Sequence, residues 1–324
     1  MTGWSPMNRN TEYLEKLAAE TGFRSETLEK VMRLGELAAD IGRHPLLSRV
    51  LVLKGGTALN LMFGPPARLS VDLDFNYIGH EDRELAQAQR PEVERAIEII
   101  AQGQGYRIQR SQDAHAGRKT YLLYTGAAGT PDRIEIDLNF LFRVPLGEMT
   151  TRPLWQPPGV VTPEVRIVSV DELFAGKLRA TLDRAMPRDL FDSIRLPGYA
   201  TDEWAAPRLR RIHVALAATL PRPLYEYGEA RFERVTERAV QEQLIPMLHR
   251  DEMPTAGELK QQAWSVLAPL VMLDDAEREY IDRVQAGELS PELLFPDDEE
   301  TADRLKRHPA LQWKIDNVRR YQRR

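Results

Sequence analysis

Residues 50–77 read VLVLKGGTALNLMFGPPARLSVDLDFNY, and this stretch decides the fold. An apolar run, Val50–Leu53, is followed by a lysine and two glycines, which predicts a buried strand that enters a tight turn. Residues 57–63 then predict a short helix that ends at Gly64. Ser70–Tyr77 alternates between polar and apolar residues and predicts a second strand with one buried face. The stretch therefore predicts a strand, turn, helix and strand in close succession.

The polar face of the second strand carries two carboxylates, Asp72 and Asp74. Because side chains two residues apart on a strand point to the same side, these acids lie together. Asp137 lies on the polar face of a later strand, predicted over residues 133–142. If the two strands are neighbours, three carboxylates form one cluster, which is costly without a counter-charge. A divalent metal ion supplies that charge, so we predict these aspartates as metal ligands, with Asp137 as third ligand or general base.

The turn before the helix offers a place for phosphate. Gly55 and Gly56 let the backbone approach a phosphate group closely, and the N–H groups at the helix start favour an anion. Thr57 and Ser70 add hydroxyl groups, and Arg68 adds a cation. The simpler interpretation is that each residue only builds a turn or lies in solvent. The order of turn, helix and D-x-D strand favours a site for a nucleoside triphosphate and metal ions.

The composition narrows the chemistry. The chain has 324 residues, a net charge of −5, no cysteine, and six histidines without a metal-ligand spacing. Thiolate metal sites and cysteine nucleophiles are excluded, so any metal ligands are oxygens, which favour Mg²⁺ or Mn²⁺. Nucleic acid would need a local basic patch, since the bulk charge is negative. Neither a secretion signal nor an apolar run of about 18 residues is present, which predicts a cytoplasmic protein without a membrane partner.

The rest of the chain predicts a mixed α/β region followed by helices. Residues 10–43 have the periodicity of a helix, and residues 81–103 form another amphipathic helix. Ser169 and Glu172 predict a capping box for a helix over residues 170–183. Further strands are predicted over residues 106–110, 119–124, 133–142 and 165–168. The predicted domains are residues 1–198 and residues 199–324, the second of them helical.

The motif order resembles the polymerase-β-like nucleotidyltransferase superfamily and, within it, the AbiEii/AbiGii toxin family, which has mycobacterial relatives. The resemblance covers residues 25–196 and rests on KGGTAL at 54–59, RLSVDLDF at 68–75, IEIDL at 134–138, ELFAGKLRA at 172–180, and Arg184 with RDLFD at 188–192. It implies an α/β (α+β) fold with a mixed sheet flanked by helices, followed by a mostly helical C-terminal domain. In the superfamily the turn is usually Gly-Ser. Gly56 stands in the serine's place here, so Thr57 or Ser70 takes the hydroxyl role.

The resemblance also implies roles for residues beyond the sheet. Lys177, on an apolar helix face, would contact triphosphate oxygens and belong to the catalytic set together with Asp189. Either Asp189 or Asp192 could orient Lys177. The alternatives are a surface lysine that extends its charge into solvent, and a structural ion pair between Arg188 and Asp189.

The family resemblance implies a metal-dependent enzyme that transfers a nucleotide from an NTP. Some members act on the 3′ end of tRNA, members are encoded beside a neutralising antitoxin, and some act in phage defence. We therefore expect an NTP substrate, a tRNA acceptor and an antitoxin partner. Two alternatives are an enzyme of the same fold that modifies a protein or small-molecule hydroxyl, and a non-catalytic nucleotide-binding module. The basic segment at residues 306–324 could hold an RNA backbone or could be a solvated helix.

Overall fold

A computed structural model of the chain describes residues 9–112 and 117–322. Contacts within the chain divide it into two compact units. The first unit consists of the described residues of Met1–Phe140, Thr151–Ile167 and Ile245–Met253. The second consists of the described residues of Leu141–Thr150, Val168–Leu244 and Pro254–Arg324. The domain boundary predicted at residue 198 stays a prediction.

The first unit is built on a mixed sheet flanked by helices. Its helices are α1 (Thr11–Thr21), α2 (Ser25–Arg43), α3 (Leu47–Val50), α4 (Gly55–Leu61) and α5 (Arg83–Gly103). Its strands are β1 (Leu51–Lys54), β2 (Asp72–Tyr77), β3 (Arg107–Arg110), β4 (Gly117–Thr125), β5 (Pro131–Asn139), β6 (Thr150–Pro153) and β7 (Glu164–Ile167). The strand order is β3-β4-β5-β2-β1-β7-β6. The predicted fold class is therefore confirmed; β6 was not predicted.

The pairing of the central strands positions the acidic residues. Strand β2 pairs with β1 in antiparallel and with β5 in parallel orientation. Strand β5 also pairs with β4 in antiparallel orientation, and β1 pairs with β7 in parallel orientation. The chain between β2 and β5 forms α5, β3 and β4, so two strands far apart in sequence become neighbours. The two predicted acidic strands therefore lie side by side.

Alternation along β2 and β5 separates an apolar face from a polar one. Leu73 and Phe75 of β2 are buried, as are Ile134, Ile136 and Leu138 of β5. The residues between them are partly exposed along most of both strands. Burial of the apolar set fixes which side chains point away from the core, because a one-residue slip would reverse every side chain.

The predicted helix over residues 10–43 is two helices. Gly22 ends α1 in a left-handed conformation with a φ of 75°, and its N–H donates to the carbonyl of Ala18. A Cβ atom at Gly22 would lie 2.3 Å from Nε2 of His249. The apolar periodicity continues on both sides of this break, so the helical prediction is confirmed and the region forms two helices.

The second unit is helical in its described residues after Val168, apart from short 3₁₀ turns and loops. Its helices are α6 (Val170–Arg184), α7 (Pro187–Tyr199), α8 (Thr201–Ala205), α9 (Pro207–Ala217), α10 (Glu237–Gln243), α11 (Ala256–Val271), α12 (Asp275–Gln285), α13 (Glu299–Arg307) and α14 (Pro309–Gln322). Helix α6 packs against α7 and α9, and α7 packs against α11. Every helix in residues 9–112 and 117–322 is too short or too polar to span a bilayer.

The start of α6 differs from the predicted capping box. The Ser169 side chain makes no capping bond to the helix and instead donates to the carboxylate of Asp171. The carboxylate of Glu172 accepts the N–H of Leu146 at 2.9 Å. The capping-box prediction was wrong because a tertiary partner and a nearer acid take the two side chains.

Candidate active site

The turn after β1 lies directly against one of the predicted acids. Gly55 has a φ of 76°, a left-handed conformation that glycine adopts without steric cost. A Cβ atom at Gly55 would lie 2.3 Å from Oδ2 of Asp74, so a larger residue would displace the carboxylate. A Cβ atom at Gly56 would lie 3.0 Å from Oγ of Ser70 and 3.1 Å from Nη2 of Arg68. The fold thus brings the glycine turn, Arg68, Ser70 and Asp74 together.

Four strands place charged side chains in one row across the sheet. Lys54 of β1 lies opposite Asp74 of β2, Asp74 lies opposite Asp137 of β5, and Asp137 lies opposite Lys119 of β4. Residues directly opposite on paired strands share a face, and neighbouring strands are roughly 5 Å apart. Two aspartates therefore occupy the centre of the row, with a lysine on each side.

A second row adds two more acids. Asp72 lies opposite Glu135, and each is two residues before an acid of the first row. Lys119 forms an ion pair with Glu135. We call the four acids of these rows, Asp72, Asp74, Glu135 and Asp137, the carboxylate face. Four carboxylates against two bordering lysines give these rows a negative charge, which favours a cation.

Asp137 has the electrostatic environment of a proton acceptor. Burial raises the pKa of its carboxyl group, and the negative charges of Asp74 and Glu135 raise it further. The ammonium groups of Lys54 and Lys119 act in the opposite direction on this pKa. A carboxylate with a raised pKa is a stronger base, so this environment suits a group that accepts a proton.

The donor chemistry of the carboxylate face fits a hard divalent cation. Its side chains offer carboxylate oxygens, which are ligands that Mg²⁺ and Mn²⁺ prefer. Within the described residues, no three acidic or histidine side chains already lie close enough to hold an ion. An ion would therefore have to draw the carboxylates together. The ligand set of Asp72, Asp74 and Asp137 stays a prediction.

Two side chains predicted to bind phosphate have partners within the fold. The buried hydroxyl of Thr57 donates to the backbone carbonyl of Asp72. Arg68 is only 3% exposed, and its Nη1 donates to the carbonyl of Leu69 at 2.9 Å. The Thr57 bond connects α4 to the start of β2, and the Arg68 bond lies within the loop that precedes this strand. The nucleotide-binding roles of Gly55, Gly56, Thr57, Arg68 and Ser70 stay predictions.

Lys177, in the second unit, is buried in an ion-pair network rather than extended into solvent. Its Nζ lies 3.1 Å from Oδ1 of Asp189 and 2.8 Å from Oδ2 of Asp192. Arg184 also binds Asp189, with bonds of 2.8 and 3.1 Å. We call these four residues the lysine network. It holds two cations and two anions, so its charges balance. Lys177 and Arg184 are ion partners of Asp189.

Glu172 is a buried acid, and the sequence motif did not indicate that its carboxyl group has an unusual pKa. Burial raises the pKa of its carboxyl group to about 7, although the Leu146 N–H bond opposes this shift. A group with a pKa near 7 changes its charge in the physiological range. It lies in the second unit, at the start of α6.

Part of the basic C-terminal segment is used inside the second unit. The side chains of Lys314 and Arg319 each donate to a backbone carbonyl at 2.8 Å. Arg323 and Arg324 lie outside the described residues. The segment over residues 306–324 therefore has a structural use that weakens its interpretation as an RNA-binding surface.

Comparison with solved structures defines the class of the fold. MenT4, a nucleotidyltransferase toxin from Mycobacterium tuberculosis H37Rv, superimposes with a TM-score of 0.63 at 19% identity, covering 93% of this chain and 98% of that one. An antigenic nucleotidyltransferase-like protein from Paracoccidioides brasiliensis matches with a TM-score of 0.35 at 15% identity, covering 59% of this chain and 89% of the other. No curated protein sequence matches at a significant level. The MenT4 likeness shows a nucleotidyltransferase toxin fold.

The sequence profile of one family matches most of this fold. The profile described as "Nucleotidyl transferase AbiEii toxin, Type IV TA system" matches residues 39–268. This match covers more than half of the chain, including the glycine turn, the carboxylate face and the lysine network. The chain belongs to the AbiEii family of nucleotidyltransferase toxins from type IV toxin–antitoxin systems. The family implies an NTP substrate and an antitoxin partner.

Proposed function

We propose that this chain transfers a nucleotide from an NTP to the 3′ end of tRNA, with Mg²⁺ or Mn²⁺, as the toxin of its toxin–antitoxin pair. The carboxylate face carries the proposal. Asp74 and Asp137 lie directly opposite each other on parallel strands, and Asp72 shares their face. Such a grouping on rigid strands supports a cation site against which a triphosphate can be held.

The proposed reaction is a substitution at the α-phosphorus of the NTP. The terminal hydroxyl oxygen of the RNA forms a bond to this phosphorus, the bond to the bridging oxygen breaks, and pyrophosphate leaves. Asp137 accepts the hydroxyl proton, a role that its raised pKa supports. Lys54 and Lys119 border the acids and offset part of their repulsion. Divalent ions held by Asp72 and Asp74 would supply charge stabilisation for the triphosphate.

Lys177 and Asp189 complete the proposed set of catalytic residues. We propose that the Lys177 ammonium contacts triphosphate oxygens, and that Asp189 and Asp192 hold this ammonium in place through the ion pairs described above. Lys177→Arg keeps the charge but changes its geometry, so it should raise the KM for NTP while the protein stays folded. An unchanged KM would remove Lys177 from the set.

The decisive experiment is a labelling screen. Purified protein is incubated with Mg²⁺, total tRNA and each α-labelled NTP in turn, and label on tRNA is measured. We expect one or more NTPs to label tRNA, and Asp74→Asn or Asp137→Asn to lower the rate by about 10³-fold, since charge stabilisation and base catalysis each contribute at least 10². Removing the metal with a chelator should abolish labelling.

A matched control lies on the same strand. Asp132 is on β5 but on the opposite face from Asp137, and it forms an ion pair with Lys30 at 2.8 Å. Asp132→Asn should therefore keep the labelling rate within about two-fold, because it is not part of the carboxylate face. Label on a protein band or on a small molecule would show that this molecule, and not tRNA, is the acceptor. Triphosphate binding without label on any acceptor would favour a non-catalytic module.

The toxin role is tested in cells. A tRNA acceptor would place the reaction in the cytoplasm. Induced expression should arrest growth, Asp74→Asn should not, and co-expression of the neighbouring antitoxin gene should restore growth. A role in phage defence predicts fewer plaques on cells that carry the intact pair than on cells that carry Asp74→Asn. Growth arrest by the Asp74→Asn variant would show toxicity that is independent of nucleotide transfer.

A further inference from the structure

A second charged site lies in the first unit, between α5 and strands β3 and β4. It is a cavity of about 460 Å³ lined by four arginines, one glutamate, one glutamine and one proline. The arginines are Arg90 and Arg95 of α5, Arg110 of β3 and Arg118 of β4. We call this the arginine cavity. None of its residues belongs to the motifs that carry the family resemblance, so nucleotide transfer as described above does not account for it.

The half-buried Glu94 and the buried Glu98 hold the arginines from behind. Glu94 accepts bonds from Arg90 at 2.7 Å and from Arg118 at 3.1 Å. Glu98, with its side chain only 4% exposed, binds Arg110 and lies 4.0 Å from Arg95. Arg95 and Arg110 share the single carboxylate of Glu98, and their side chains are 64% and 51% exposed. The outward part of the cavity therefore presents two guanidinium groups to one buried acid.

This arrangement suits a phosphate group. A guanidinium presents its N–H donors in a rigid fork that matches two phosphate oxygens, and acids behind it fix its orientation. Arg90 is further held against the ring of Phe140, 5.3 Å from its centroid. The cavity therefore offers donors with restricted motion, which lowers the entropy lost on binding.

The arginine cavity and the carboxylate face lie on opposite faces of the sheet and share strand β4. Arg118 and Lys119 are successive residues of β4, so their side chains lie on opposite faces of the sheet. Lys119 borders the carboxylate face, and Arg118 lines the cavity. Only β4 and β3 lie beyond β5 on that side of the sheet, so the edge is about 10 Å from Asp137. A strand of nucleic acid with its end at the carboxylates would pass around this edge to reach the cavity on the opposite face, a path of a few nucleotides.

We propose that the arginine cavity binds the phosphodiester backbone of the acceptor RNA upstream of its reacting 3′ end. This inference rests on the proposed RNA acceptor. The chain has a net charge of −5, so long-range attraction to RNA must come from a local site of this kind. Contacts to the backbone would position the acceptor without reading its sequence.

The test uses two exposed arginines of the cavity. The variant Arg95→Gln with Arg110→Gln is compared with wild type by filter binding of total tRNA at several salt concentrations, without NTP. We expect the Kd to rise about tenfold at 0.1 M salt. The slope of log Kd against log salt should fall by about 1 to 2, because two phosphate contacts are lost. In the labelling assay, the KM for tRNA should rise and the KM for NTP should not change.

Two further variants make the result interpretable. In the double variant, the buried carboxylate of Glu98 loses both of its arginine partners, which disfavours folding. Adding Glu98→Gln removes this carboxylate, so a folding defect can be separated from lost tRNA binding. The control is Arg238→Gln with Arg278→Gln, which removes the same charge from exposed arginines, each within reach of an acid one helical turn away. The control should bind tRNA within about two-fold of wild type.

The outcomes separate this inference from the proposed function. A wild-type protein that labels no RNA contradicts the RNA acceptor itself. RNA labelling with an unchanged Kd and salt slope in the double variant overturns the cavity's role alone. Unchanged tRNA binding combined with weaker binding of the antitoxin protein would overturn it in favour of a protein-docking surface.

Discussion

The carboxylate face and the lysine network handle charge in opposite ways. On the carboxylate face, four acids lie in two adjacent rows of a sheet with two lysines at the border. In the lysine network, Lys177 and Arg184 are matched by Asp189 and Asp192. Asp74 and Asp137 are partly exposed, whereas Lys177, Asp189 and Asp192 are buried.

This difference indicates what each region contributes. Acids gathered on one face of a sheet repel one another, and a bound cation relieves the repulsion, so the carboxylate face gains from a ligand. A balanced buried network gains little net stability but becomes very costly when one member is removed. Changes at the carboxylate face should therefore affect turnover, and changes in the lysine network should also affect folding.

The largest effect on stability should follow Lys177→Met. Removing the ammonium leaves Asp189 and Asp192 buried with less compensation, which should lower the free energy of unfolding by about 3–5 kcal/mol. Urea unfolding measures this change. Arg184→Gln is the matched control, because Arg184 binds the same Asp189 but is 59% exposed, so it should cost less than about 1 kcal/mol. Equal costs for the two variants would contradict a buried network that depends on Lys177.

The second effect concerns the pH dependence of stability through Glu172. The folded-state pKa is raised to about 7 from an ordinary value of 4.5, so the folded protein favours the protonated acid. The stabilising contribution is complete below pH 4.5 and is lost as the pH rises to about 7. Glu172→Gln should remove this loss. The variant should therefore gain about 3 kcal/mol relative to wild type between pH 5 and pH 8, since one pKa unit is worth about 1.4 kcal/mol.

Comparing wild type with Glu172→Gln separates the effect of Glu172 on the pH dependence of stability from the effect of the buried histidines. Burial lowers the pKa of His213 to about 4 and that of His308 to about 3. Their contribution is present above pH 6.5 and is lost as the pH falls, which is the opposite direction. Both proteins share it, so it cancels in the difference. A difference that stays constant from pH 5 to pH 8 would show that Glu172 titrates normally.

The smallest effect on stability should follow Gly55→Ala, with a larger effect on activity. The left-handed backbone costs an alanine about 1–2 kcal/mol, and its Cβ would displace the Asp74 carboxylate. Gly64→Ala is the control, since Gly64 has a φ of 107° and open space around its Cβ position. Labelling and urea unfolding should show that both variants are destabilised but only Gly55→Ala loses most of its turnover. Similar turnover in both variants would show that the turn at Gly55 does not position the Asp74 carboxylate.

Local pattern predicted most strands and the acidic faces of β2 and β5. Alternation assigns a side chain to a face from its own strand alone, so Asp72, Asp74 and Asp137 were identified before any contact was known. It could not predict register. That Lys54 and Lys119 border the acids follows from the register of β1 on β2 and of β4 on β5. That Asp74 and Asp137 are neighbours follows from the pairing of β2 with β5, which are distant in sequence.

The capping-box error has a tertiary origin. Glu172 has the spacing of a capping residue, but its carboxylate accepts the N–H of Leu146. This partner prevails over a local preference worth about 1 kcal/mol. The helix end at Gly22 is different, because glycine readily adopts the left-handed conformation that ends α1.

Residue types and their spacing alone indicate a glycine turn beside a D-x-D strand, predict oxygen ligands for any metal ion, and have a motif order typical of nucleotidyltransferase toxins. Those features depend on residue type and on spacing within one element, which the sequence states directly. Only the tertiary structure decided that Asp74 and Asp137 are direct neighbours, that Lys177 is buried between two acids, and that four arginines surround one cavity. The physical reason is that strand register, helix packing and burial come from the simultaneous fit of distant segments, and these set the distances through which charges act.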